Sequence, residues 1–352
     1  MKIIITGGAG FIGTALVEYL LTHTEHQLLV VDKLTYAANL TELDQFKRHD
    51  KTNHRFQFIK ADICDASQVQ NIFASFQPNA IMHLAAESHV DRSLTDPAEF
   101  IQTNIIGSYT LLEASRQYWQ QLSPAQQQQF RFLQVSTDEV FGDLADNKQN
   151  TGNALFTETN AYAPSSPYSA SKASADHLVQ AWHRSYGLPT IISYCSNNYG
   201  PNQHKEKLIP KAIAQLAQGL AVPIYGDGQQ IRDWLYVKDH VAALYLILRQ
   251  GQVGQRYAVG GNNQVTNIEL VQKIADIIDA YAKEKPKQQQ WPLLTTPRRN
   301  LIQFVSDRPG HDKCYGIDST KIKQQLNWQP QYSLQQGLQS TVHNLLAKYG
   351  HN

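Results

Sequence analysis

The chain has 352 residues, of which 42% are hydrophobic and 17% charged, and its formal net charge is +1 at pH 7. That length supports more than one small domain, and the balanced charge excludes a global field for nucleic acid or an anionic membrane, so an anionic ligand must be held by a few local cations. Three cysteines, Cys64, Cys195 and Cys314, stand far apart with no CxxC pair, which reads as reduced thiols in a cytoplasmic protein.

The apolar start Ile3-Ile4-Ile5 ends at Thr6-Gly7-Gly8, too short for a secretory signal core, and no run approaches a membrane span. Strands are predicted at Lys2–Thr6, Leu28–Asp32, Phe56–Lys60, Ala80–Leu84, Phe130–Ser136 and Thr190–Tyr194. Helical periodicity falls between them, over Phe11–Leu21 and Ala98–Ala114, the latter with Ala98, Ile101, Ile105, Tyr109 and Leu112 on one face. The glutamines Gln126–Gln129 read as a solvated loop. This alternation predicts an α/β fold, a Rossmann-like, doubly wound parallel sheet covered by helices on both faces.

After about Asn197 the rhythm changes to shorter strands (Val222–Tyr225, Arg256–Val259, Ile302–Val305) and helices near Ile268–Lys283 and Ser333–Lys348, with a polar linker at Lys285–Gln290. The expected division is a NAD-binding domain over residues 1–196. Residues 197–352 would form a smaller C-terminal α/β substrate-binding lobe, with some segments returning to the first domain. Ligands of such sheets bind outside the strands' carboxyl ends.

Gly7, Gly10 and Gly13 join the first strand to the first helix in a G-x-x-G-x-x-G spacing. Absent side chains there let backbone N–H groups and the helix N-terminus approach a pyrophosphate, and the last glycine lets helix pack on strand. Asp32 ends the second strand about 20 residues on, placed to bond an adenosine ribose and to favour NAD over its 2′-phosphorylated form. Asp62 and Ile63, after the third strand, are candidates to flank the adenine; Asp62 is equally readable as an ordinary loop carboxylate.

Tyr168 and Lys172 stand four residues apart on a predicted helix and so share a face. A neighbouring ammonium and a bound nicotinium both favour the phenolate, which can then act as a base near neutral pH. Such pairs are common by chance; Ser136-Thr137 at the end of the fifth strand shifts the reading towards hydride transfer at a secondary alcohol. Asp138-Glu139 follows directly. In isolation two carboxylates at a strand's end are solvated, but beside a new ketone an acid and a base are what eliminating water requires.

Taken together, TGGAGFIG from Thr6, VDKLTYAANL from Val31, LAAESHVDRS from Leu84, STDEVFGD from Ser136, YAPSSPYSASKAS from Tyr162, NNYGP from Asn197, EKLIP from Glu206, PIYGDGQQIRDWLYVKDH from Pro223 and DRPGHD from Asp307 resemble the dTDP-glucose 4,6-dehydratase family, within the extended short-chain dehydrogenases/reductases, over nearly the whole chain. The resemblance implies NAD contacts at Phe11, Ile12, Asp32, Lys33, Leu34, Thr35, Asp62, Ile63, Leu84, Ala85, Ala86, Glu87, Ser88, Thr103, Tyr168, Lys172 and Asn198. It implies a nucleotide-sugar site at Ser88, Thr137, Asn197, Lys207, Leu208, Pro223, Ile224, Tyr225, Arg232, Asn267, Asp307, Arg308, Pro309, Gly310 and His311. Lys207, Arg232 and Arg308 are the candidate cations for a diphosphate, although Arg232 also reads as a structural ion pair with Asp233.

The implied reaction uses Tyr168, Lys172 and Thr137 for oxidation at carbon 4, Glu139 as base at carbon 5 and Asp138 as acid at the departing hydroxyl of carbon 6. It further implies a homodimer through helices around Ala98–Ala114 and Tyr168–Tyr186, and no nucleic-acid or membrane partner. The chain departs from the family at Phe141, where tyrosine is usual, at Ala38, where glycine is usual, and at Asn202–Lys205, which replaces an aromatic, proline-containing lead-in. A sugar-nucleotide 4-epimerase would share everything except the need for Asp138 and Glu139, and a non-catalytic NAD-binding regulator would need none of the five catalytic candidates. His311, Asp312 and Cys314 make no recognised ligand spacing, and no metal is expected.

Overall fold

The computed structural model describes residues 1–49, 55–144, 155–284, 292, 294–307 and 312–349; the polar linker at 285–290 lies outside them. In the first half, β1 (Lys2–Thr6), α1 (Phe11–His23), β2 (Gln27–Asp32), α2 (Leu40–His49), β3 (Phe56–Lys60), α3 (Ala66–Phe76) and β4 (Ala80–His83) alternate strictly. Next come α4 (Val90–Thr95), α5 (Pro97–Phe100), a π-helical stretch Ile101–Gly107, α6 (Ser108–Gln120), α7 (Pro124–Gln129), β5 (Arg131–Thr137), α8 (Pro167–Tyr186) and β6 (Thr190–Cys195). The remainder holds β7 (Asn197–Tyr199), α9 (Leu208–Ala217), β8 (Val222–Tyr225), β9 (Ile231–Tyr236), α10 (Val237–Gln250), β10 (Arg256–Val259), β11 (Gln264–Thr266), α11 (Asn267–Glu284), β12 (Ile302–Val305), α12 (Thr320–Leu326) and α13 (Leu334–Tyr349).

The main sheet has seven strands in the order β10-β6-β5-β4-β1-β2-β3, with every pairing parallel. Helices cover both faces, so the strands carry continuous apolar runs rather than alternating ones; all six residues of β6 are buried. The chain winds outward from β1 to β3, then returns to β4 on β1's other side, which opens a crevice at the carboxyl ends between β1 and β4. Thr6 pairs with Val31 and His83, and Thr137 pairs with Cys195, so the ends of these strands lie along one edge.

Residues beyond 197 serve two cores. β10 extends the main sheet, α10 packs on α1, and α12 packs on β10. The rest surrounds a separate cluster of Tyr199, Ile213, Ile224, Trp234, Leu270, Ile274 and Val342. A three-stranded sheet (β11-β9-β7) and a two-stranded one (β12-β8) hang this cluster over the crevice.

Two expectations need correction, and one strand was not foreseen. Gln126–Gln129 is helical, because Ser123 forms a reciprocal capping box with Gln126 and Pro124 opens the helix. The single helix expected over Ala98–Ala114 is broken by the π-helical stretch, whose wider turn moves the faces out of register: Leu112 is buried while Ile101 and Tyr109 are exposed. Strand β9 was hidden by its charged pair, whose residues point to opposite faces.

Candidate active site

A cavity of 540 Å³ follows the crevice from the glycine turn to the second lobe. At one end Gly7 has φ +71°, a left-handed value that favours glycine, and a Cβ there would meet the backbone of Ala85 at 2.6 Å. A Cβ at Gly13 would meet the carbonyl oxygen of Gly7 at 2.2 Å. Both positions therefore allow a backbone approach that any side chain would block. Asp32 accepts hydrogen bonds from the N–H groups of Ala9 (3.0 Å) and Leu34 (2.8 Å), so it braces this turn while still facing the cavity. Burial pushes its carboxyl upward, and those two N–H groups oppose the shift.

Lys33 donates to Thr103 (2.8 Å) and lies 3.7 Å from Glu87. Asn104, on the π-helical stretch, clamps the loop after β4: its side chain bonds both the N–H (2.8 Å) and the carbonyl (3.0 Å) of Glu87, and donates to Ser171 on α8 (2.8 Å). The wider turn thus directs two successive side chains, Thr103 and Asn104, inward.

At the other end, β5 and α8 converge. Ser166 caps α8 in a reciprocal box with Ser169, and Pro167 opens the helix, which fixes where Tyr168 points. Lys172 is buried and donates to the carbonyl of Val135 (2.8 Å). Thr137 caps the single turn Asp138–Phe141, accepting from the Glu139 N–H (3.3 Å), and its hydroxyl donates to Asp138 (3.3 Å).

Asp138 is 1% exposed, and its Oδ2 has no hydrogen-bond partner among the described residues. Burial, then the neighbouring charges of Glu139 and Asp233, hold its carboxyl well above the usual range, with Arg232 and Thr137 pulling back. Burial therefore favours the protonated form of Asp138, the form that can donate a proton. The Tyr168 phenol is also pushed well up, first by burial and then by Glu139 and Cys195, while a hydrogen bond to Thr137 opposes. The ammonium of Lys172 alone does not reverse this, so the bound nicotinium, the second of the two charges expected to favour the phenolate, must add to it. The protein's own groups favour neutral Tyr168, so ionising it takes a positive charge brought into the cleft.

Arg232 does not pair with Asp233. Its guanidinium donates to the carbonyls of Ile231 (2.8 Å) and Asp312 (2.7 Å) and lies 4.4 Å from the Tyr315 ring, facing the cavity. Asp233, on the opposite face of β9, accepts from the N–H groups of Gly261 (2.8 Å) and Asn263 (2.7 Å). Asn197 and Asn267 also line the cavity, each with a buried Oδ1 that lacks a partner among the described residues. Such atoms are costly unless a ligand meets them.

Nearly all the expected residues line this one cavity, including Phe11, Ile12, Thr35, Ile63, Leu84 to Ser88, Asn198, Lys207, Leu208 and Pro223 to Tyr225. Leu34, at φ +61°, packs into the core beside α1 instead, and Asp62 accepts from the Cys64 N–H (2.9 Å) as a loop brace. Asp307 accepts from Gln230 (3.0 Å) and does not line the cavity; Arg308, Pro309, Gly310 and His311 lie outside the described residues. Sequence reasoning missed Asn104, Cys195, Tyr315 and Asp176. Only Asp176 left a signal, at helical spacing from Lys172.

The family model for GDP-mannose 4,6 dehydratase matches residues 4–341. The dTDP-glucose 4,6-dehydratase of Haemophilus influenzae is 52% identical over 97% of both chains. The chain belongs to the sugar-nucleotide 4,6-dehydratase family. Within this family and the wider extended short-chain dehydrogenases, the dTDP-glucose 4,6-dehydratase DesIV of Streptomyces venezuelae, solved with NAD bound, superposes with a TM-score of 0.84 at 35% identity, covering 99% of this chain and 98% of that one. A UDP-glucose 4-epimerase of Thermotoga maritima gives 0.81 at 28% identity, covering 99% and 100%. Fold alone hardly separates the two activities. Sequence identity separates them better, at 52% to the Haemophilus influenzae dehydratase against 28% to the epimerase. No helix among the described residues is long and apolar enough to cross a membrane.

Proposed function

We propose that the chain converts dTDP-glucose to dTDP-4-keto-6-deoxyglucose with NAD as a tightly held cofactor. The observation that carries this is Asp138, a buried carboxyl whose protonated form is favoured by burial, beside a second carboxylate, Glu139, in the cavity that also holds Tyr168 and Lys172. The close glycine turn fits a dinucleotide. The backbone at Gly7, Gly10, Phe11, Ile12 and Gly13 would take the pyrophosphate, Asp32 to Thr35 the adenosine ribose and Ile63 the adenine. Leu84 to Ser88, Thr103, Tyr168, Lys172 and Asn198 would hold the remainder. Bound NAD supplies a hydride acceptor for carbon 4 and afterwards a hydride donor for carbon 6.

The protein's own residues do the rest. Tyr168 takes the hydroxyl proton at carbon 4, with Thr137 orienting both groups and Lys172 stabilising the phenolate. The resulting ketone acidifies carbon 5, whose proton goes to Glu139. Asp138 gives its proton to the departing hydroxyl of carbon 6. Arg232 and Lys207, with Asn197 and Asn267, would hold the diphosphate and nucleoside.

Exposed Ile101 and Ile106, together with exposed Tyr109 and Tyr186, which Trp182 joins by edge-on ring contacts, support a homodimer across these helices; a monomeric mass by light scattering at micromolar concentration would refute it. The free thiols Cys64, Cys195 and Cys314 fit a reducing cytoplasm. Incubation with dTDP-glucose and other nucleotide glucoses, followed by mass and NMR identification, tests the reaction itself. Deuterium at carbon 4 should reappear at carbon 6. Label lost to solvent or free cofactor would mean an ordinary dehydrogenase, and a product epimerised at carbon 4 the alternative reading.

A further inference from the structure

The mechanism leaves one buried ionisable group unused. Asp176 is 0% exposed and lies one helical turn beyond Lys172, so Tyr168, Lys172 and Asp176 descend the same face of α8. Each meets β5 in turn. Tyr168 sits beside Thr137 in the cavity, Lys172 donates to the Val135 carbonyl (2.8 Å), and Asp176 Oδ2 accepts from Ser136 Oγ (2.5 Å). Oδ2 also accepts from Tyr162 (3.5 Å), while Oδ1 has no partner among the described residues. A buried ammonium held by one carbonyl is expensive unless an anion compensates it.

We propose that Asp176 is a positioning residue for the reaction: its carboxylate is the buried counter-ion that keeps Lys172 charged and seats α8 on β5. The groups around the pair agree with this role. Tyr162 bonds Tyr194 on β6, and Arg256 on β10 acts on both phenols from outside. On β4, His83 is held neutral by burial, down to about 3, so it adds no competing charge. Cys195 on β6 is a thiol pushed upward by burial, and is likewise neutral. Burial pulls Lys172 down, and Asp176 is the first group that opposes the fall. Burial pushes Asp176 up to about 7, against the pull of Lys172, Ser136 and Tyr162. Asp176 is therefore ionised above neutral pH, the range in which an uncompensated buried lysine would lose its proton.

Asp176→Asn keeps the size and one oxygen to accept from Ser136 but removes the charge. The turnover ratio of wild type to variant should grow about tenfold or more between pH 6.5 and pH 9, since each unit by which the Lys172 pKa falls is a factor of ten. Asp176→Glu should restore most of the alkaline activity. A purely structural role would lower turnover by the same factor at every pH, and that result would overturn the proposal. If Asp176→Asn does not fold, NMR of ¹⁵N-lysine wild-type protein decides: Lys172 should stay charged through pH 9, and a neutral amine there would refute the idea. The activity test rests on the dehydratase reading, whereas the NMR test does not. Wild-type protein that forms no keto sugar defeats that reading alone.

Discussion

The two ends of the cleft are built from different materials. The glycine-turn end is mostly backbone: Gly7 and Gly13 matter for the atoms they lack, and Asp32 accepts from the Ala9 N–H of the turn and the Leu34 N–H of the loop after β2. The β5–α8 end is mostly side chains, with Thr137, Asp138, Tyr168 and Lys172 buried against one another. The difference teaches which substitutions each end tolerates. Isosteric side-chain changes should silence the chemistry without releasing a cofactor, whereas at the turn a single added methyl should weaken binding and spare the chemistry of loaded protein.

The largest expected effect is at Tyr168. Tyr168→Phe removes one oxygen from a buried ring that packs edge-on against Phe100, so the fold should hold. Turnover should drop about 10³-fold or more, the upper range for a positioned base, while NAD still copurifies. Near wild-type activity would remove Tyr168 from the mechanism, and loss of NAD would erase the contrast between the two ends.

Next come the carboxylates. Asp138→Asn and Glu139→Gln should each slow keto-sugar formation by about 10²-fold, with oxidation at carbon 4 still visible as reduced cofactor absorbance after substrate is added. Glu139→Gln should also suppress exchange of the carbon-5 hydrogen with deuterated solvent. The sign of the pH dependence follows from Asp138. Its folded-state pKa is raised by burial, so the required proton is present below that pKa and lost as pH rises through it. Wild-type turnover should therefore fall on the alkaline side, and Asp138→Asn should flatten that contribution. Keto sugar formed at wild-type rate by both variants would remove the pair from the mechanism.

At the turn, Gly13→Ala places a methyl 2.2 Å from the Gly7 carbonyl oxygen, too close for any real contact. The turn must shift, an overpacking cost on the scale of about 1–3 kcal/mol, and NAD retention should fall about tenfold. Protein saturated with NAD should turn over almost normally. A variant that keeps NAD but loses turnover would mean the turn positions the reacting end as well.

The same contrast explains what was legible in the sequence. The glycine turn and Asp32 are one local stretch, so spacing was enough to place them. Tyr168 and Lys172 were readable for a similar reason, since helical period alone puts them on one face. The clamp by Asn104 was not readable, because it depends on a π-helical turn that breaks the expected period. Arg232 was ambiguous until β9 sent it and Asp233 to opposite faces. Cys195 reaches the cavity only because β5 and β6, far apart in sequence, end side by side, and Tyr315 because its segment bridges to β9 at Ile231. Asp62 and Leu34, expected at the cofactor, do not line the cavity: Asp62 accepts from the Cys64 N–H and Leu34 packs against the core.

The smallest expected effect lies where the cofactor end does rely on side chains. Glu206 meets Arg92 (3.0 Å), His89 (3.3 Å) and His204 (3.6 Å), while Arg92 lies 3.5 Å from the Tyr36 ring. Together with the Lys207 bond to the Ser88 carbonyl (3.2 Å), these contacts tie the segment before α9 to α4 and to the loop after β2, across the cleft. Burial lowers both histidines, so at neutral pH Arg92 supplies the cation. Arg92 is well exposed, and exposed pairs contribute little. Glu206→Gln should therefore quicken NAD release on dilution by only about two- to fivefold, and leave saturated turnover close to wild type. His204 stands where the family usually has an aromatic, proline-containing lead-in, and it still packs edge-on against Tyr36, so the tie keeps its ring contact despite the exchange. Acceleration far beyond tenfold would mean that this tie, rather than the backbone of the turn, is what retains the cofactor, and the division between the two ends would fail.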